Sequence, residues 1–143
     1  MKAQIVSLIL TGMLFFVHSS TAQTEKIFAK SFHPQGRQTL VLNLADKVEV
    51  REWDNPMVRI QIKIALSNSG EGLLKALVET GRYHLSTVFE EQTVTVAAPR
   101  MTVPVQLGNG SKELVSYLIF APRNVAVKID VDASKKMVAR LNP

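Results

Sequence analysis

Apolar and polar residues alternate along most of the chain from residue 39 onwards. In the clearest run, VRIQIKIAL (58–66), every second residue is Val, Ile or Leu, and Arg, Gln, Lys and Ala stand between them. This period of two places one set of side chains in a core and the other in water, so it predicts a half-buried β-strand. Six further runs share the pattern: TLVLNL (39–44), KVEV (47–50), RYHLSTVF (82–89), TVTVAA (93–98), MTVPVQL (101–107) and NVAVKIDVD (124–132).

For two of the strands the sequence also predicts a position within the sheet. The run LVSYLIFA (114–121) is apolar on both faces, which is typical of a central strand covered on both sides. The run MTVPVQL contains Pro104, whose nitrogen has no hydrogen to donate to a neighbouring strand. This run is therefore predicted to lie at the edge of a sheet.

One segment has helical rather than strand periodicity. Within NSGEGLLKALVETGRY (68–83), four apolar residues recur at helical spacing, namely Leu73, Leu74, Leu77 and Val78. Asn68 and Glu71 have the spacing of a capping box, and Gly81 stands where a helix would end. Glu71 and Lys75 have the spacing of a helical ion pair. We expect a helix of about three turns that packs its leucines over the sheets.

The whole pattern predicts an all-β fold with one short helix. Turn sequences such as HPQG, WDNP and GNGS separate the strands at intervals of about ten residues, as in β-sandwiches and barrels. The architecture is a multi-stranded, β-solenoid-like fold or a two-sheet β-sandwich, since the two differ in strand order and not in strand pattern. Residues 23–133 form a single domain, and residues 134–143 form a basic C-terminal tail.

The N-terminus has the three regions of a secretory signal peptide. Lys2 is followed by an uncharged apolar run (5–17), and Ser20 and Ala22 supply the small residues of a cleavage site. The run is shorter than the roughly 20 residues that cross a bilayer as a helix. Residues 1–22 are therefore predicted to be cleaved, and the mature chain is predicted to be periplasmic or secreted, with no transmembrane segment.

Charge and cysteine content indicate how the core is stabilised and which classes of partner are favoured. The chain carries a formal net charge of +5 and no cysteine, so its core forms without disulfides. The basic residues are scattered apart from a cluster at 134–140. An exported basic protein meets envelope glycan, lipid or protein more readily than nucleic acid. We therefore expect an envelope partner and no nucleic acid.

Few residues suggest chemistry. His33 and His84 are the histidines of the mature chain, and neither has a nucleophile at a catalytic spacing. Asp130 and Asp132 could form half of a calcium site, but no third acidic ligand lies near them in sequence. Glycoside hydrolysis would need two carboxylates across a cleft, and Glu52 is the first candidate, with Asp54 two residues on. The sequence predicts no catalytic residues, no metal site and no cofactor.

Trp53, the single tryptophan, allows two interpretations. Val48 and Val50 face the core, so strict alternation sends Trp53 outwards beside Arg51. A bulge near Arg51 and Glu52 would instead turn the indole inwards and let it close a corner of the core. The inward position is the preferred interpretation, because large aromatic area is rarely left in water. The outward position would allow Trp53 to stack on a sugar or a lipid head group.

Two stretches resemble a known family. KVEVREWDNPMVRIQIKI (47–64) and YLIFAPRNVAVKIDV (117–131) are similar to recurrent units of the exported adhesin-like domains of unknown function that are common in Bacteroidetes. In the second stretch Pro122 and Val125 stand in the matching places. The resemblance covers residues 48–131 and implies an exported β-solenoid with a role in adhesion. It implies no functional residues, because the family offers none.

The sequence thus favours an exported, non-enzymatic binding or structural module of the bacterial cell envelope. One alternative is a hydrolase of envelope polymer that uses Glu52, Asp54 or His84. Another is an accessory subunit of an envelope complex that docks through an exposed apolar edge at residues 103–107. The ligand and the oligomeric state are left open.

Overall fold

The computed structural model describes residues 23–108 and 110–130. The predicted signal peptide, the basic tail and Asp132 lie outside the described residues. The chain forms β1 (Gln23–Phe32), β2 (Thr39–Asn43), β3 (Lys47–Trp53), β4 (Val58–Ser67), helix α1 (Glu71–Glu79), β5 (Ser86–Phe89), β6 (Thr93–Ala97), a 3-10 helix (Pro99–Thr102), β7 (Lys112–Pro122) and β8 (Ala126–Ile129). Among these residues, no helix is long and apolar enough to cross a membrane.

Sheet A consists of four strands in the order β1-β4-β7-β3. β4 pairs antiparallel with β1 on one side and with β7 on the other, and β3 completes the sheet by pairing parallel with β7. The alternation predicted for β4 is present: its even-numbered residues are buried, and Arg59, Gln61 and Lys63 point to the other face. The two faces of β4 therefore differ sharply in polarity.

Sheet B consists of four strands in the order β5-β6-β2-β8. β2 lies in the middle and pairs parallel with both β6 and β8, while β5 and β6 form an antiparallel hairpin. The sheets share one core, in which Leu40 and Leu42 of β2 and Val94 and Val96 of β6 join the inward residues of sheet A. Two sheets that share their inner faces in this way form a sandwich.

The predicted all-β class with two sheets and one short helix is confirmed. The strand pairing shares one feature with the solenoid alternative. The chain passes between the sheets from β2 to β3, and again from β6 to β7 to β8. Strands of the first passage pair in parallel with strands of the second: β2 with β6 and β8, and β3 with β7. Parallel stacking of successive turns belongs to solenoids, but β1, β4 and β5 add antiparallel pairs that a solenoid lacks.

Helix α1 forms where it was predicted, but its start differs. The N-cap is Gly70 and no side chain caps the helix, so the predicted capping box of Asn68 and Glu71 is wrong. Asn68 has φ of +53°, which belongs to a turn before the helix and takes its side chain out of capping position. The ion pair also differs, because Lys75 lies 3.8 Å from Glu79.

The end of α1 follows the prediction. Gly81 has φ of +74°, the left-handed conformation that glycine adopts without steric cost. The amide of Gly81 donates to the carbonyl of Val78, and the amide of Arg82 donates to the carbonyl of Leu77. These two bonds form a Schellman motif. It turns the chain so that the residues after the helix enter the core.

Two predicted strands need correction. Only the second half of RYHLSTVF forms a strand, because residues 82–85 turn from the helix into β5. MTVPVQL forms no strand: its first two residues end the 3-10 helix, and residues 103–107 are irregular. The carbonyls of Arg100 and Val103 accept bonds from the guanidinium of Arg82 instead of a neighbouring strand. Val103 and Val105 are nevertheless exposed, as the docking alternative expected.

Candidate functional site

The outer face of sheet A carries a column of short and apolar side chains between two rows of long polar ones. The column consists of Ser116, Leu118 and Phe120 on the central strand β7. Strand register places Lys63, Gln61 and Arg59 of β4 on one side of these three residues, and Lys47, Glu49 and Arg51 of β3 on the other. We call this column and its two flanking rows the trough.

The trough is open and has a defined size. Neighbouring strands lie about 4.8 Å apart, so the two flanking rows are separated by about 10 Å. Ser116 and Phe120 are four residues apart on one strand, which corresponds to about 13 Å. A depression of about 280 Å³ lies over Ser116 and Leu118, and Ile27 of β1 forms part of its rim. The long side chains therefore rise around a low floor.

Apolar area in and around the trough is exposed to solvent. Ile27 is 62% exposed and Leu114, one pleat beyond Ser116, is 63% exposed. Leu118 and Phe120 are half-buried. This corrects the prediction that β7 is covered on both faces. β7 is central in its sheet, but its outer side chains are not enclosed in a second core.

Trp53 lies at one end of the trough on the outer face. β3 keeps an unbroken register with β7 from Lys47 to Trp53, so the bulge that would have turned the indole inwards is absent from this strand. The preferred inward position is therefore wrong. The indole is half-buried, its ring centre lies 5.2 Å from that of Phe120, and its Nε1 donates to the carbonyl of Met57 at 2.8 Å. Trp53 closes the turn between β3 and β4 and extends the aromatic floor.

Cations outnumber carboxylates in the trough. Glu49 pairs with Arg51 at 2.7 Å, and Lys63 pairs with Glu25 of β1 at 3.2 Å. The side chain of Lys47 has neither a hydrogen bond nor an ion pair with the described residues, and Nε of Arg59 is buried without a hydrogen-bond partner among them. The flanking rows and Glu25 together carry four cations and two carboxylates, so two positive charges are not compensated locally.

A second polar cluster lies inside the sandwich, at the end covered by α1. The Arg82 guanidinium forms two-pronged hydrogen bonds to the Glu113 carboxylate, with 2.7 Å between Nη2 and Oε2. The hydroxyl of Tyr83 donates to Oε1 of Glu113 at 2.6 Å. The side chains of Arg82 and Glu113 are only 8% and 13% exposed. The cluster joins the helix end to β7 and, through Arg82, to the 3-10 segment.

The titration properties of this cluster follow from its contacts. Burial opposes ionisation of Glu113, but hydrogen bonds from Arg82 and Tyr83 and the charge of Arg82 hold its pKa below the usual value. Burial and the Glu113 carboxylate raise the pKa of Tyr83. Partial burial and the charge of Glu113 raise the pKa of Asp46. The polar atoms of Arg82 and Glu113 are bonded to each other, to Tyr83 and to two backbone carbonyls, so the cluster stabilises the fold rather than presenting a reactive group.

The residues of the hydrolase alternative do not meet in one site. Oδ1 of Asp54 lies 2.7 Å from Nε of Arg123, and Oε2 of Glu52 lies 3.7 Å from its Nη1. His84 lies in a groove beside β1 that also contains Phe28. β1 and β3 are opposite edges of sheet A, about 14 Å apart by strand spacing. Glu52 and Asp54 are therefore engaged with Arg123 and far from His84.

The remaining candidate residues are also separate. His33 lies in the turn after β1, where its Nδ1 accepts a hydrogen bond from the amide of Gln35 at 2.9 Å. Asp130 follows β8, and its amide donates to the carbonyl of Leu42. Within residues 23–108 and 110–130, no three His, Cys, Asp or Glu side chains cluster in a way that could hold a metal ion.

The sequence contains the residues of the trough, but it does not show that they lie side by side. LVSYLIFA was interpreted as a strand buried on both faces, because apolar residues occupy both of its parities. Ser116 was the available signal: a small polar residue in the middle of the outward parity, with Lys and Arg at the outward positions of both neighbouring runs. The pairing of those runs with β7 could not be known, since β3 and β7 are parallel and their paired residues, such as Lys47 and Ser116, lie far apart in the sequence.

Comparisons with known proteins give one structural neighbour. Neither the protein-family models nor the curated proteins match this chain. Among solved structures, the chain is similar to a putative cell adhesion protein from Clostridium sporogenes ATCC 15579, with a TM-score of 0.42 and 12% sequence identity. The similarity covers 74% of this chain and 46% of that one, so the chain spans less than half of the neighbour's length.

Proposed function

We propose that this protein is an exported, non-enzymatic binding or structural module of the bacterial cell envelope, periplasmic or secreted, and that it engages its ligand through the trough. The positively charged start, the short apolar run and the small residues before position 23 support export. The outer face of sheet A supports the binding surface.

One observation carries the proposal: a partly exposed apolar column with an aromatic end lies on the outer face of a central strand. Single apolar residues on a surface are ordinary. Here Leu118, Phe120 and Trp53 are contiguous, Ile27 lies at the rim, and charged side chains surround them. Contiguous apolar surface with a polar border is typical of interaction sites. A ligand that covered it would remove this area from water.

A catalytic role has less support from the same residues. A hydrolase needs an acid or base and a nucleophile within reach of one substrate position. Glu52 and Asp54 are paired with Arg123, and His84 lies at the opposite edge of the sheet. The trough contains hydrogen-bond donors, an apolar floor and a carboxylate that is paired with Arg51. These groups suit binding of a ligand rather than catalysis.

Trp53 is a built-in reporter for the experiment. The protein, purified from an exporting host, is mixed with envelope glycan, lipid and protein fractions, and Trp53 emission and retention of each fraction are measured. We expect one fraction to be retained and to shift the emission, because the indole adjoins the trough. If no fraction is retained and the emission stays constant, the proposal is wrong.

A matched pair of variants locates the surface. Ile27→Ser removes an exposed aliphatic side chain at the trough rim, and Val88→Ser removes one, 54% exposed, from an edge strand of sheet B. The first change should weaken retention about fivefold, the effect of losing roughly 1 kcal/mol of apolar contact. The second should leave it unchanged. Equal effects would place the binding surface elsewhere.

A further inference from the structure

We infer that the trough binds a single chain of an acidic polysaccharide. The inference rests on the proposed function and names its ligand class. The ligand would be a linear glycan with carboxylate or phosphate groups, whose sugar faces lie on the floor of β7 and whose anionic groups lie against the two flanking rows.

The shape of the trough selects one extended chain. The flanking rows are about 10 Å apart, wide enough for one sugar ring between them, and the floor runs about 13 Å along the strand, enough for two to three sugars. A flat bilayer surface would meet the ends of the long side chains and leave the floor uncovered. The depression of 280 Å³ between the rows is matched by a ligand that enters it.

The floor of the trough suits sugars better than peptides. Both sides of β7 are already paired, with β4 and with β3, so an extended peptide finds no strand edge there to bond with. The floor offers apolar and aromatic surface instead, in Leu118, Phe120 and the adjoining Trp53. The C–H faces of sugar rings pack on such surfaces, and their hydroxyls can bond with Gln61 beside Leu118.

The cations are arranged in two cross-strand pairs. Lys63 and Lys47 flank Ser116, and Arg59 and Arg51 flank Phe120. The two pairs are about 13 Å apart along the strand, so a chain lying on the floor passes between cations at both ends. Anionic groups that recur along a glycan can meet both pairs at once.

Two of these cations are available for a ligand. Among the described residues, neither Lys47 nor Arg59 forms an ion pair. A cationic side chain without a protein ion-pair partner forms strong, charge-assisted hydrogen bonds to an anionic acceptor. Arg51 and Lys63 are already paired with Glu49 and Glu25, so we assign most of the selectivity for anions to Lys47 and Arg59.

The first test varies the charge of the ligand on a constant backbone. Sodium polygalacturonate and its fully methyl-esterified form are titrated against the purified protein at low salt, with Trp53 emission as the readout. We expect the polyanion to bind at least about tenfold more tightly than the ester, since two uncompensated cations lose their partners in the neutral chain. Binding of both forms with equal affinity would overturn the inference.

The second test compares two double variants that have the same net charge and differ in where the charges are removed. Lys47→Gln with Arg59→Gln removes two charges from the trough, and Lys75→Gln with Lys128→Gln removes two exposed charges elsewhere. The first pair should weaken polygalacturonate binding about tenfold and reduce its salt dependence. The second should change it less than about twofold, as expected for charges distant from the ligand.

A third variant blocks the trough without altering charge. Ser116→Leu fills the low point of the floor, and Thr95→Leu makes a comparable change on the outer face of sheet B. Only Ser116→Leu should weaken polygalacturonate binding. Urea unfolding of each variant verifies that it is folded. A Ser116→Leu protein that is folded and binds polygalacturonate normally would overturn the inference.

The outcomes separate this inference from the proposed function. If polygalacturonate does not bind but a neutral glycan, vesicles of phosphatidylglycerol or an envelope protein shifts Trp53 emission, the ligand class is wrong and the binding module stands. If none of these probes and no envelope fraction shifts the emission or is retained, both are wrong.

Discussion

Replacing Arg82 by methionine tests how strongly the buried polar cluster holds the fold. Methionine keeps most of the apolar stem and removes the guanidinium. Glu113 is then left 13% exposed with Tyr83 as its remaining partner, and the carbonyls of Arg100 and Val103 lose their donor. Removing one partner of a buried ion pair costs about 3–5 kcal/mol. We expect Arg82→Met to lower the free energy of unfolding by an amount in this range.

Urea unfolding followed by Trp53 emission measures this loss, and a double variant isolates its cause. Arg82→Met with Glu113→Leu removes both charges, and replacement of both partners by apolar residues is often close to neutral. In the double variant the Tyr83 hydroxyl and the carbonyls of Arg100 and Val103 still lack their partners, so it should recover only part of the loss and be more stable than Arg82→Met by about 1–2 kcal/mol. If Arg82→Met costs less than about 1 kcal/mol at neutral pH, the ion pair does not have the buried character that we assign to it.

The pH dependence gives an independent measurement. The pKa of Glu113 lies below its ordinary value of 4.5 in the folded protein, so its ionised form stabilises the fold. This stabilisation is complete above the unfolded pKa and is lost as the pH falls through the folded pKa. The stability difference between the unmodified protein and Glu113→Gln should be constant above about pH 5.5 and should shrink below 4.5. A difference that is independent of pH down to unfolding would contradict the lowered pKa.

Three further predictions concern the core, the helix end and the tryptophan. Leu42→Ala should lower the free energy of unfolding by about 2–5 kcal/mol, because Leu42 is fully buried between the sheets; a loss below about 1 kcal/mol in urea unfolding would contradict this. Gly81→Ala should lower the free energy of unfolding more than Gly36→Ala does in the same assay. Both glycines have positive φ, but a Cβ at position 81 would lie 3.3 Å from Arg100, whereas a Cβ at position 36 would meet no atom within 4 Å. Trp53→Phe should lower the melting temperature by a few degrees, because it removes one hydrogen bond of about 1 kcal/mol, and an unchanged melting temperature would show that this bond does not stabilise the turn.

The strands that the sequence predicted well are those whose environment is set by their own alternation. In β4 each even-numbered residue faces the core and its odd neighbours face outwards, so the pattern alone describes the strand. β1 was missed because Lys26 and Lys30 occupy inward positions next to Phe28. β1 is an edge strand, and Lys30 extends along the seam between the sheets to the carbonyl of Leu85. Inward charges of this kind also discourage pairing with another chain.

The trough and the position of Trp53 depend on contacts that no local pattern contains. Alternation placed Trp53 correctly on the side of Arg51, and the general preference for burying tryptophan argued against it. The indole satisfies that preference in another way, by packing on Phe120 of a strand more than 60 residues away. Likewise, the segment after Thr102 could not be recognised as irregular without the distant guanidinium of Arg82, which donates to the carbonyls of Arg100 and Val103.

The parallel pairing of strands that are distant in sequence affects how the chain folds during its synthesis. β2, at residues 39–43, is enclosed only when β8, at 126–129, lies beside it, and β3 needs β7. During synthesis β2 and β3 therefore lack their complete set of partners until β7 and β8 have emerged, although β1 and β4 can pair earlier. Pairing over such sequence separations is slow. We expect the polypeptide to stay largely unfolded during synthesis, a state in which a translocation channel or a holding chaperone can still accept it.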